Sequence, residues 1–194
     1  MLRYRYKCSF IGNYFVGKTS IIHSILSNRN EVRSTLGIDF FTTTLNIGDT
    51  EASVSIWDTA GAERYRSLTS SYIRDSDVVF IVYDVSNIDA MQNVHQCLVD
   101  VERSRPSLVA IMGNKSDLNS VCKHDVKHTI EPYIRQGWTI LTTRCSVYDE
   151  PNTIKEFFKK CLRTVTRSVS KISNKAPKQI RLVPQPELPR KCCT

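Results

Sequence analysis

Polar and apolar positions alternate over residues 4–11, and that period of two predicts a first strand. A polar stretch from Gly12 to Thr19 follows. Ile21, Ile22, Ile25 and Leu26 then recur at helical spacing, which predicts a helix to about Leu26. Ser27 to Ser34 (SNRNEVRS) has no period and reads as a mobile loop. Ile38 to Ile47 and Ala52 to Trp57 are strand-like, and the Gly48-Asp49 turn signal between them predicts a hairpin. Gly61 to about Ser71 is polar with a weak helical pattern. Val78 to Val85 (VVFIVYDV) is almost unbroken apolar sequence, the sign of a central strand buried on both faces. Asp89 to Arg103 predicts a helix with an acidic start and a basic end. Leu108 to Met112 predicts a second central strand. Asp125 to Arg135 predicts a helix in spite of Pro132, and Thr139 to Thr142 a short strand. Asn152 to about Val169 is amphipathic, with Ile154, Phe157, Phe158, Cys161, Leu162 and Val165 on one face.

Six strands alternating with helices predict an α/β fold: a mostly parallel six-stranded sheet with helices on both faces. Ligands of such sheets bind outside the carboxyl ends of the strands. From about Ser170 the chain carries four prolines and scattered Lys and Arg with little periodicity. The expected organisation is one domain over residues 1–169 and a flexible basic tail over 170–194. No apolar run approaches the length of a membrane span, and residues 1–10 contain no apolar signal region, so a cytosolic chain is expected. Leu2 excludes N-myristoylation.

Charge sharpens the division. The net charge of +8 is uneven, because residues 159–194 hold ten basic side chains and one acid. The remainder is nearly neutral, so the basicity describes the tail rather than the body. Seven cysteines without metal-type spacing are expected to be reduced thiols. Cys8 and Cys145 read as core filler, whereas Cys192 and Cys193 cannot be core.

Candidate chemistry begins with Gly12-Asn13-Tyr14-Phe15-Val16-Gly17-Lys18-Thr19, which fits the phosphate-binding pattern G-x-x-x-x-G-K-[ST] between a strand and a helix. Backbone N–H groups at a helix N-terminus, including that of Ser20, meet a triphosphate with partial positive charge. Lys18 adds a full charge, and the Thr19 hydroxyl suits Mg²⁺. Asp58-Thr59-Ala60-Gly61 ends the third strand. An acid there can hold Mg²⁺ through water, and Gly61 lets the backbone approach a γ-phosphate. Asn114-Lys115-Ser116-Asp117 follows the Leu108–Met112 strand. The Asp117 carboxylate can accept two N–H bonds from guanine, a pattern adenine lacks, and such a site can discriminate by ~10⁴-fold. Asn114 would brace the phosphate loop, and the Lys115 stem would cover the base.

These motifs in this order resemble the small GTPases of the Ras superfamily, and most closely the Rab branch. LGIDF (36–40), SVSIWDTAG (53–61), ERYRSLT (63–69), SYIR (71–74) and VFIVYDVS (79–86) carry the likeness, which covers about residues 4–168 and the last residues. The resemblance implies the P-loop GTPase fold, bound GTP or GDP, and Mg²⁺ on Thr19, Thr35 and Asp58. It makes Thr35 the first-switch threonine, whose release on loss of the γ-phosphate frees both switch loops. It assigns Leu36, Gly37, Ile38, Asp39, Phe40, Trp57 and Tyr72 to an effector surface, with Phe40, Trp57 and Tyr72 as an aromatic triad. The alternative for each triad member is partial core packing. It places Ser146, Val147 and Tyr148 in the last guanine loop, with Tyr148 where Lys is usual.

Three departures bear on activity. Ala62 stands where the family has the Gln that orients the attacking water, and a methyl group can do neither half of that hydrogen bonding. Slow hydrolysis and a bias toward the GTP-bound state are expected, offset in part if an activating protein supplies the missing groups. Tyr14 and Phe15 are bulky where small residues are usual; they either shield the phosphates and obstruct an inserted Arg, or point outward and change little. Ser27–Ser34 lacks an aromatic residue to stack on guanine, so faster nucleotide exchange is expected.

The terminal Arg190-Lys191-Cys192-Cys193-Thr194 lacks a C-a-a-X box, because Lys191 occupies the fourth position from the end. It resembles the Rab double-geranylgeranylation signal, and two lipid chains anchor stably where one does not. A monomer is expected on the cytoplasmic face of a membrane, with an escorted cytosolic pool. Its expected partners are effectors, an exchange factor, an activating protein and prenylation and escort machinery, without nucleic acid. The alternatives are a non-cycling module that keeps GTP as a structural cofactor and a P-loop kinase, for which no acceptor-binding acid or lid is visible.

Overall fold

The computed structural model describes residues 4–27, 38–48, 50–59, 71–119 and 125–172. The strands are β1 (Tyr4–Ile11), β2 (Ile38–Ile47), β3 (Thr50–Thr59), β4 (Val78–Asp84), β5 (Leu108–Asn114) and β6 (Ile140–Arg144). The helices among the described residues are α1 (Lys18–Leu26), α2 (Ala90–Glu102), α3 (Val126–Arg135) and α4 (Pro151–Ile172). The sheet runs β2-β3-β1-β4-β5-β6, antiparallel only between β2 and β3.

The unbroken apolar runs become the middle of that sheet. β4 is buried from Val78 to Tyr83 and β5 along its whole length. Each face has its own core. Phe10, Ile21, Ile22, Phe80, Phe158 and Leu162 pack on the side of α1 and α4. Ile81, Val94, Leu98, Ile111, Ile130 and Tyr133 pack on the side of α2 and α3. Phe10 and Phe80 stack with centroids 4.5 Å apart, and Phe80 lies 5.2 Å from Phe158, so aromatic contact joins β1, β4 and α4. The expected α/β architecture, with six strands and helices on both faces, is the observed one.

Some boundaries differ. β2 has the expected bounds, but β3 is longer than its apolar run, because Thr50 pairs with Ile47 and Thr59 with Ile38. Ladder hydrogen bonds extend through polar residues that carry no apolar signal. The expected acidic start and basic end of the second helix are its caps: Asp89 is the N-cap and Arg103 the C-cap of α2, and neither lies within its first or last turn. Asp125 caps α3, its side chain accepting from Lys127 N–H at 3.1 Å. Helix α4 runs to Ile172, three residues beyond the boundary expected at 169. Among the described residues no helix is long and apolar enough to cross a membrane.

Among the described residues, Cys8, Cys97, Cys145 and Cys161 are buried. Burial pushes Cys145 and Cys161 up to about 12, so both stay protonated packing groups at neutral pH.

Candidate guanine-nucleotide site

The sheet order reverses between β1 and β4, and the phosphate loop leaves β1 at that crevice. Its two glycines are required by space as well as by backbone angle. A Cβ on Gly12 (φ +142°) would lie 2.2 Å from the Val82 carbonyl oxygen, and one on Gly17 (φ +93°) 2.3 Å from Asn114 Nδ2. Gly17 caps α1 with no side-chain acceptor, so the first-turn amides of α1 are not covered by a capping side chain.

Lys18 opens α1 and is buried. Its ammonium donates to the carbonyls of Gly12 at 3.0 Å and Asn13 at 2.9 Å, spanning the loop from beneath. Burial lowers its pKa to about 8 against the opposing pull of the Asp58 charge. The Thr19 hydroxyl donates to Asp58 Oδ2 at 2.5 Å. Asp58 is fully buried, and its backbone lies opposite Phe10 in the β1–β3 ladder. Thr59 Oγ1 donates to the Phe10 carbonyl at 2.8 Å, which ties the end of β3 to β1. A hydroxyl and a carboxylate in contact, beside a buried ammonium, are the hard oxygen donors and the charge that Mg²⁺ and a polyphosphate require. Tyr14 and Phe15 meet edge to face, with centroids 4.0 Å apart. They are 47% and 71% exposed, and Phe15 holds a left-handed φ of +59°.

The base end is assembled from β5 and β6. Asn114 Nδ2 donates to the Val16 carbonyl at 2.9 Å, the bracing expected of it. Asn114 Oδ1 is buried and has no protein donor, an orphaned acceptor of the kind a ligand satisfies. Lys115 is left-handed (φ +63°), and its ammonium lies 2.6 Å from Asp84 Oδ2 at the end of β4. Burial raises the Asp84 pKa, but the Lys115 and Ser86 hydrogen bonds outweigh it and hold the carboxyl below its ordinary value. Ser86 donates to Asp84 through its N–H at 2.8 Å and its hydroxyl at 2.6 Å. Asp117 is exposed at the end of the same loop.

Two backbone bonds tie the β5 and β6 loops together. Cys145 N–H donates to the Gly113 carbonyl at 2.8 Å, and Ser116 N–H to the Cys145 carbonyl at 3.1 Å. The buried Ser146 hydroxyl accepts the N–H groups of Tyr148 and Asp149, each at 3.2 Å. Val147 packs partly buried against the core, and Tyr148 is 88% exposed.

A third constellation lies on the β2–β3 edge. Phe40 and Trp57 are 4.9 Å apart by centroid, Trp57 and Tyr72 5.8 Å, so the three rings form one row. Phe40 is exposed and the other two are half-buried. Ile38 is half-buried and Asp39 exposed beside them.

Sequence reasoning missed several supports. Asp84 ends β4 and anchors Lys115, and Ser86 in turn holds Asp84; the apolar run and the likeness marked that segment as a strand but gave neither residue a role. A polar seam also escaped notice. Ser9 Oγ bonds Ser76 Oγ at 2.8 Å and donates to the Tyr72 carbonyl at 3.1 Å, while Lys7 Nζ donates to the Arg74 carbonyl at 2.5 Å. The only sequence signal was a serine interrupting an otherwise apolar end of β1. Thr35, Leu36, Gly37, Ala60, Gly61, Ala62, Cys192 and Cys193 lie outside the described residues.

The Ras family model matches residues 7–167. That span contains the phosphate loop, Asp58, Asn114 to Asp117 and Ser146 to Tyr148, and the chain belongs to the Ras family of small GTPases. Such proteins bind guanine nucleotides, typically with Mg²⁺, act as GTP hydrolases and work through effectors, exchange factors and activating proteins.

Proposed function

We propose that this Ras-family protein is a Rab-like switch that holds GTP, hydrolyses it slowly and recruits effectors to the cytosolic face of a membrane in vesicle traffic. The observation that carries this reading is the contiguous aromatic row of Phe40, Trp57 and Tyr72 on the β2–β3 edge. Three adjacent aromatic side chains that are only partly buried suit an effector surface better than a core. Trp57 immediately precedes Asp58, so the row is one peptide bond from a residue of the Mg²⁺ and phosphate site.

In this reading the first-turn amides of α1 and Lys18 hold the phosphates. Thr19, Thr35 and Asp58 serve Mg²⁺, which would neutralise phosphate charge when bound. Gly61 brings the backbone toward the γ-phosphate. Asn114, Asp117 and the Val147 N–H read the guanine. With Ala62 in place of Gln, no side chain at that position orients water, and phosphoryl transfer depends largely on such positioning. Measured over a single turnover, Ala62→Gln should raise the hydrolysis rate at least tenfold. An unchanged rate, with and without an activating protein, refutes the hydrolysis defect.

Cys192 and Cys193 would carry the two lipid chains, with the basic tail adding attraction to anionic lipid. Replacing both with Ser should move the protein from the detergent phase to the aqueous phase; equal partitioning rejects the anchor. Ala62 also supports a second reading, a module that keeps GTP without cycling. Absence of GDP formation in the wild type under every condition would favour it.

A further inference from the structure

Tyr148 is the most exposed of the large apolar side chains in the described fold, at 88%. The backbone beneath it is fixed. Its N–H and that of Asp149 converge on the hydroxyl of Ser146, which has no exposed surface, and Glu150 N–H donates to the Ser146 carbonyl at 3.0 Å. The loop is bonded through Cys145 to Gly113 and Ser116, and so to the segment that carries Lys115 and Asp117. A large ring is therefore presented from a rigid turn directly beside the base-reading loop.

The remaining sources of an aromatic face are few. Residues 28–37, between α1 and β2, contain no Phe, Tyr or Trp. Lys115 has its ammonium committed to Asp84, which leaves its alkyl stem as cover. Tyr14 and Phe15 belong to the phosphate loop, at the other end of the site.

We propose that the Tyr148 ring stacks on the guanine base and sets how long nucleotide stays bound. The proposal rests on the guanine-nucleotide reading above. It reverses the expectation of fast exchange drawn from residues 27–34, because the aromatic contact comes from the β6 side. Stacking uses the face of the ring, so the hydroxyl is dispensable. The ring also covers the base without competing for the hydrogen bonds made by Asp117.

The test is the dissociation of a fluorescent GDP analogue from full-length wild type, Tyr148→Ala, Tyr148→Phe and Tyr148→Lys, with folding checked by circular dichroism. Tyr148→Ala should release nucleotide about tenfold faster, and Tyr148→Phe should match the wild type. Tyr148→Lys should fall between them, since an alkyl stem covers less of a base than a ring does. Release from Tyr148→Ala at the wild-type rate overturns the proposal. So does a Tyr148→Phe rate equal to that of Tyr148→Ala, which would assign the effect to the hydroxyl. If wild type binds the analogue but the variants do not differ, only the stacking fails. If wild type binds no guanine nucleotide, the underlying reading fails with it.

Discussion

The phosphate end and the base end of the site are built on opposite principles. At the phosphate end the charged groups are buried and already committed to the protein: Lys18 to the Gly12 and Asn13 carbonyls, Asp58 to Thr19. At the base end the backbone is what is buried and bonded, and the groups proposed to meet the base, Asp117 and Tyr148, are exposed. A polyphosphate brings high charge and little information, so its cradle needs fixed dipoles and a desolvated cation. A base brings little charge and a pattern of donors, so its site needs a few side chains on a rigid frame. One residue belongs to both ends. Asn114 leaves β5 at the base end, touches Gly17 and donates to Val16 in the phosphate loop.

The contrast is broken most severely by removing Asp117, the side chain proposed to read the base. Asp117→Ala leaves the phosphate cradle intact but deletes the proposed acceptor for two guanine donors. The ratio of ATP to GTP dissociation constants should fall by ~10⁴-fold, since discrimination of this kind comes from hydrogen-bonding groups that only one ligand satisfies. Competition binding with both nucleotides measures it. A ratio that does not move would mean that Asn114 and the Ser146–Tyr148 loop read the base without Asp117.

Gly17→Ala tests the joint between the two ends. The added methyl would enter the space of Asn114 Nδ2 on a backbone whose φ of +93° already disfavours a side chain. Asn114 must retreat and give up the Val16 carbonyl, which disturbs both ends at once. GDP affinity should drop ~10²-fold by titration calorimetry, from backbone strain together with a lost buried hydrogen bond. A normal affinity would show that the ends are independent and that the Asn114 brace is dispensable.

The fold was more legible than the details that make the site work. Val78–Val85 and Leu108–Met112 announce central strands because a strand covered on both faces has no polar side to show. The phosphate loop was legible because its glycines are dictated by contacts 2.2 and 2.3 Å away, and such constraints admit few other sequences. The ion pair of Lys115 with Asp84, the double acceptance by Ser146 and the seam from Ser9 to Ser76 left no such mark. Each joins residues brought together by sheet order or by a left-handed turn, and neither follows from a period of two or 3.6. The polar ends of β3 were invisible for a related reason: their pairing is carried by the backbone. Phe40, Trp57 and Tyr72 were joined by the family resemblance alone: they lie apart in the chain, and Phe40 and Trp57 become neighbours only through the β2–β3 pairing.

The smallest expected effect concerns Lys18, and it separates the two ends by pH. With a pKa of about 8, the ammonium in the nucleotide-free protein is about half protonated at pH 8. A bound polyphosphate stabilises the charged form, so binding at pH 8 should take up about half a proton. Calorimetry in two buffers of different ionisation enthalpy reads that uptake directly. Affinity should then fall about fivefold from pH 8 to pH 9, as the charge must be restored before phosphate can be held. The sign for stability is the reverse. Lys18 is lowered in the folded state from its ordinary 10.5, so between about 8 and 10.5 the folded chain holds fewer protons than the unfolded one. Its contribution to the stability of the nucleotide-free fold therefore rises with pH across that window while affinity declines. Proton uptake near zero at pH 8 would mean that the Gly12 and Asn13 carbonyls already hold Lys18 fully charged, and that the cradle carries its cation before any phosphate arrives.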